Sequence, residues 1–95
     1  MYKYQLTAAA QEDLENIYRF GYQKFGELQA DRYFFGLIDC LENIAAHPLL
    51  FPTVDYIRPM YRRCAYRSES IYYRLDHDVV VIMAIIGRQD ELRRL

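Results

Sequence analysis

The sequence is short of the residues that most often do covalent or metal chemistry. Its 95 residues include two cysteines, two histidines and no tryptophan. Cys40 and Cys64 are far apart and form no C-x-x-C pair. That argues against a disulfide framework or a thiolate metal site, and reads as two buried small apolar residues. His47 and His77 stand beside turn signals and make no H-E-x-x-H cluster, so no metal is expected. No P-loop, nucleophile elbow or paired-carboxylate pattern is present, and no cofactor is expected. Long apolar runs are missing too. The longest, residues 79–86, falls well short of the roughly 18 residues that span a bilayer and fits a buried strand. The opening "MYKYQLT" lacks the apolar core of a secretory signal, so the expected location is the cytoplasm, with no membrane partner. Charge of one sign is lacking as well. A formal net charge of −1 does not suit an autonomous DNA binder.

What is present is the composition of a folded domain. With 53% hydrophobic and 26% charged residues, the chain reads as one globular unit over residues 1–95. "YKYQL" (2–6) is a short β-prone start, and Thr7 is placed to cap a helix. From Ala8 to about Lys24, Leu14, Ile17, Tyr18, Gly21 and Phe25 recur at helical spacing. Gly26 breaks the pattern. A second helix is predicted from about Glu27 to Ala46, with a broad apolar stripe through Ala30, Tyr33, Phe34, Leu37, Ile38, Leu41, Ile44 and Ala45. His47-Pro48 ends it, because the residue before a proline is pushed out of helical geometry. The short break implies an antiparallel helical hairpin.

"HPLLFPTVDYIRP" (47–59) is a loop held by three prolines. After it the period changes to two. Strands are predicted at Tyr61–Arg67, Ile71–Asp76 and Val79–Ile86, with turns at "RSES" and "DHD". The third is apolar on both faces and therefore central. Short successive turns make the three an antiparallel meander. The expected fold is α+β in the order β-α-α-β-β-β, with the helices packed on one face of the sheet and the first strand outer or neighbouring. The tail "GRQDELRRL" (87–95) is polar with isolated leucines.

The near-neutral charge hides an asymmetry. Residues 1–50 carry four basic and seven acidic side chains, and residues 51–95 carry eight and six. All eight basic residues of the second half are arginines, whose planar fork grips carboxylates and phosphates. Alternation places Arg62, Cys64 and Tyr66 on one strand face and Tyr61, Arg63, Ala65 and Arg67 on the other. On the next strand Ile71, Tyr73 and Leu75 are expected to face the helices. Ser70, Tyr72 and Arg74 are then left on an open face.

The ordered residues resemble the ParE branch of the RelE/ParE toxins over essentially the whole chain. The first half carries Leu6, Ala10, Asp13-Leu14, Ile17, Tyr18, Gly26, Ala30, Tyr33 and Pro48 in the places that branch uses. Arg58, Tyr61 and Arg62 match its Arg-x-x-Tyr-Arg strand, and Ser68, Ile71 and Tyr73 its Ser-x-x-Ile-x-Tyr strand. "VVIMAIIGRQDELRRL" resembles its closing segment. Two departures stand out. Glu69 replaces a histidine found in many relatives, and Ile86-Gly87 replaces Leu-His, so no role of those histidines carries over. The resemblance implies a toxin of a type II toxin–antitoxin pair that inhibits DNA gyrase. It also implies neutralisation by a ParD-like antitoxin, with DNA met only through the antitoxin or gyrase complex.

The sister RelE branch cleaves mRNA on the ribosome, which needs a base, a proton donor and cations at the phosphate. Arg62, Arg67, Arg74 and Arg88 supply cations, but the acid and base are hard to find. Glu69 and His77 both read as turn residues. The expectation is therefore a toxin that is not an enzyme. The alternatives are a ribosome-dependent mRNA endonuclease, or an inactive module that only binds its antitoxin. Three readings of the arginines stay open: solvated strand residues, an antitoxin surface that includes the groove beside the helical hairpin, or a gyrase contact. The candidate binding residues are Arg58, Arg62, Tyr66, Arg67, Tyr72, Arg74 and Arg88. The C-terminal candidates for toxicity are Arg93, Arg94 and Leu95.

Overall fold

The computed structural model describes residues 2–87. Its elements are β1 (Lys3–Leu6), α1 (Ala8–Phe25), α2 (Glu27–Ala46), β2 (Arg62–Tyr66), β3 (Glu69–Asp76) and β4 (Val79–Gly87). The sheet order is β1-β4-β3-β2. β4 and β3 are the inner strands, as the apolar run in β4 implies. The last three strands form the expected antiparallel meander, and β1 closes the other edge parallel to β4. The sheet is therefore mixed.

Thr7 starts α1 as its sequence position suggests. Its backbone is extended, and its hydroxyl oxygen accepts from the Ala10 N–H at 3.1 Å. The same hydroxyl donates to the Met83 carbonyl at 3.2 Å. Met83 is the extra residue in β4, since Tyr72 pairs with Ala84 and Tyr73 with Ile82. A bulge of this kind flips the side-chain alternation. Val80 and Ile82 before it, and Ile85 after it, thus all enter the helix-side core, while Ala84 and Ile86 point to the other face. Gly26 joins the helices with φ 89°, a region that costs residues with a Cβ. Its N–H donates to the Tyr22 carbonyl, and its own carbonyl accepts from Ala30.

One face of the sheet meets the hairpin through Leu37, Leu41, Ile44, Ile71, Tyr73, Val80 and Ile82, all fully buried. Each such side chain contributes roughly 1.5–3 kcal/mol over leaving it in water. The opposite face is not open as the sequence suggested. The 47–61 loop folds over it, and Val54 with Ile57 and Tyr61 packs on Tyr72, Ala84 and Ile86. Tyr72 is 0% exposed and Ser70 is 2% exposed. The loop is fixed to the β2 edge by Arg63 N–H to Pro52 carbonyl (3.1 Å) and closed on itself by Val54 N–H to Tyr61 carbonyl (2.8 Å). Strand alternation could not reveal this cover because the covering residues lie in an irregular segment.

β2 is shorter than expected because Met60 and Arg67 at its two ends take φ of 70° and 52°, outside the strand region. β3 begins two residues earlier than expected, which leaves Arg67 and Ser68 as the whole turn. No helix among the described residues is long and apolar enough to cross a membrane.

Candidate functional site

The buried residues of α1 are Ala10, Asp13 and Leu14, all in its first half. Beyond Tyr18 the helix outruns the sheet that would cover it. Phe20 is 60% and Phe25 55% exposed on α1, and Leu28 at the start of α2 is 67% exposed. The apolar spacing of this segment is helical but has no core to face. It forms an aromatic overhang. Lys24 lies 5.4 Å from the Phe20 ring centre and 5.8 Å from that of Phe25, a cation–π arrangement that orients both rings.

Beneath the overhang runs a groove of about 1150 Å³. Phe20, Phe25, Tyr33 and Phe34 line its helical wall, and the Arg67-Ser68 turn with Glu69, Ile86 and Gly87 lines its sheet side. Asp13 shapes its inner end. Its carboxylate accepts from the Ile85 N–H at 3.0 Å, at a stretch of β4 beyond the last residue paired with β1. Tyr18 ties the helices together by donating to Asp31 at 2.7 Å, and that bond is the chief reason its phenol is pushed up to about 12.

At the mouth, Tyr33 donates to the Glu69 carboxylate at 2.8 Å, and the Ser68 hydroxyl reaches the same carboxylate at 3.1 Å. Burial above all pushes the Tyr33 phenol up to about 12; the bond to Glu69 adds to this and that to Ser68 opposes it. Tyr33 therefore stays a proton donor at neutral pH. Glu69, expected in a turn, is instead the first residue of β3 and half-buried. The signal lay in its spacing: Glu69 pairs with Tyr66 across a two-residue turn. A smaller cleft of about 300 Å³ adjoins the groove and is lined by Gln29, Arg32, Tyr33, Tyr66 and Arg67. Tyr66 meets Tyr33 edge-on at 5.3 Å, and the Arg67 guanidinium lies 5.7 Å from the Tyr66 ring centre.

Among the described residues, Tyr66 and Arg67 are the candidate binding residues that come together here. Arg62 is spent on the fold. Its guanidinium donates to the Phe51 carbonyl at 2.7 Å and reaches the Leu49 carbonyl at 3.5 Å. Arg58 is exposed in the loop, and Arg74 is exposed on β3. Tyr72 is buried under the loop and presents no surface in this conformation. Arg88, Arg93, Arg94 and Leu95 lie outside the described residues. Sequence reasoning missed Phe25 as a site residue because helical periodicity assigned it to a core, and it missed Phe20 and Arg32 because it sought the site among the arginines and tyrosines of the second half. Cys40 and Cys64 were read as unrelated; they lie side by side, Sγ to Sγ 3.5 Å. Among the described residues, no group of three His, Cys, Asp or Glu is arranged to hold a metal.

Residues 4–92 match the family model described as the ParE toxin of the type II toxin–antitoxin system parDE. The chain is 33% identical over 95 residues to Toxin ParE1 of Mycobacterium tuberculosis, covering 98% of this chain and 97% of that one. It is 34% identical over 85 residues to Toxin ParE1 of Caulobacter vibrioides, covering 90% and 88%. Among solved structures it is similar to a chain of the chromosomal ParDE system from P. aeruginosa. That match has a TM-score of 0.81 at 17% identity and covers 92% of this chain and 96% of the other. A chain of the RelBE2 toxin–antitoxin complex from Mycobacterium tuberculosis matches with a TM-score of 0.70 at 18% identity, covering 92% and 98%. At such identities the two structures speak to the fold alone.

Proposed function

Because the chain belongs to the ParE family of type II toxin–antitoxin toxins, we propose that it inhibits DNA gyrase by stoichiometric protein–protein contact and is neutralised by a ParD-like antitoxin. The groove under the aromatic overhang carries this reading. It offers rigid, exposed aromatic rings on helices, and such rings are strong anchors for a partner because little side-chain entropy is lost on contact. Arg32 and Arg67 stand at its cationic end. An amphipathic antitoxin segment fits it, with apolar side chains against Phe20, Phe25 and Phe34 and acidic ones toward the two arginines.

Contact rather than catalysis is favoured by where the arginines lie. Arg62 opens β2, with its guanidinium on the Phe51 carbonyl, whereas Arg67 lies in the turn beyond the other end of the strand, against Tyr66. Arg74 projects from the opposite sheet face by alternation. They do not converge on one phosphate. Tyr33, held near 12, is a poor base, and it occupies Glu69 together with Ser68.

Both phenylalanines are more than half exposed, so Phe20→Ser and Phe25→Ser should leave the urea midpoint close to wild type. Calorimetric titration with the cognate antitoxin should show affinity at least about tenfold weaker in each. Wild-type affinity in both variants would remove the groove from the antitoxin interface.

A further inference from the structure

Cys40 lies on α2 and Cys64 on β2, and both are free thiols. Their sulfurs are 3.5 Å apart and in hydrogen-bonding contact. A disulfide has an S–S length of about 2.04 Å, so closing the pair moves the sulfurs about 1.5 Å toward each other. The two thiols are unequal. Cys64 is 5% exposed, whereas Cys40 is half-buried. The hydrogen bond between them also draws the Cys40 thiol down and, with burial, raises its partner. One sulfur is thus placed to attack a reagent from solvent and the other to resolve the product from inside.

We propose that Cys40 and Cys64 form a reversible cross-link between α2 and β2, closed by exchange with a low-molecular-weight disulfide. The Cys40 thiolate attacks one sulfur of the reagent, forming a mixed disulfide and releasing one reagent thiolate. The Cys64 thiolate then attacks the Cys40 sulfur, forming the internal bond and releasing the second. The protein loses two protons and two electrons, and one reagent disulfide becomes two thiols. The bond spans the same α2–β2 seam as Tyr66, which rests against Gly36. It acts as a latch that holds the hairpin to the sheet edge.

The test equilibrates the full chain with oxidised and reduced glutathione, alkylates the remaining thiols, and reads intact mass and a peptide map. Wild type is expected to lose two hydrogens, resist alkylation, and yield one Cys40–Cys64 peptide that dithiothreitol separates. Cys64→Ser is expected to stop at a single glutathione adduct on Cys40. The urea midpoint of the oxidised wild type is expected to rise above that of the reduced form, because the cross-link restricts the unfolded chain. Two outcomes would overturn the cross-link. In one, both thiols remain alkylatable in a buffer that oxidises the urea-unfolded chain. In the other, wild type accumulates the single glutathione adduct. An oxidised midpoint at or below the reduced one would overturn its role as a latch.

Discussion

Tyr73 sits wholly inside the core and gives its hydroxyl proton to the Pro48 carbonyl. Its buried phenol ring also meets Phe51 edge-on at 6.4 Å. Burial, with Arg62 opposing it, pushes the Tyr73 phenol up to about 12 from an ordinary 10.0. An unfolded chain sheds this proton near pH 10, while the folded chain keeps it until near 12. The stability it contributes is full below pH 10 and is lost as pH rises toward 12. A two-unit difference is of order 3 kcal/mol. Urea midpoints measured from pH 8 to 12 should fall across that window. In Tyr73→Phe the midpoint at pH 8 should be lower, because the Pro48 carbonyl loses its donor. The alkaline fall should be shallower. An equal fall in both proteins would assign the effect to other phenols, such as Tyr33.

Between elements, the α2–β2 seam depends on one glycine. A Cβ at Gly36 would land on the Tyr66 hydroxyl oxygen and 2.8 Å from its Cζ. Alanine in a helix interior ordinarily gains up to about 1 kcal/mol over glycine. Here it evicts Tyr66 from its seat beside Tyr33. Gly36→Ala should therefore destabilise wild type by about 1–3 kcal/mol, yet be neutral or stabilising in a Tyr66→Ala background. A double-mutant cycle in urea checks the change of sign; additive effects would mean the contact is relieved by easy rotation. The same scale shows what periodicity could and could not reveal. The α2 boundaries, Glu27 and Ala46, are those the sequence suggests, since Gly26 and His47-Pro48 punctuate them. The Met83 bulge has no sequence signal, because Val81 to Ile86 is apolar throughout and every register looks alike. The loop cover over Tyr72 was hidden for a related reason, since Val54 and Ile57 belong to no periodic run.

Over the whole molecule, the candidate site forms where the elements fail to cover one another. Its position depends on the lengths of α1 and the sheet together, which no single window of sequence contains. The chemistry was only partly legible. Tyr66 and Arg67 were identified, and Arg67 lies at the cleft with φ 52°, a conformation costing roughly 1–2 kcal/mol. Arg62 was chosen for its charge, but two loop carbonyls take up its guanidinium. Glu69 and Arg67, both from residues 51–95, line the sheet side of the groove, and Asp13 from the acidic first half lines it from α1.

The most direct test of the central claim is a titration of gyrase supercoiling against the purified toxin, with an mRNA-cleavage reaction alongside. Inhibition should grow in proportion to toxin until equivalence with gyrase, be relieved by stoichiometric antitoxin, and leave the mRNA intact. Untouched gyrase together with mRNA cut by a trace of toxin would contradict the account.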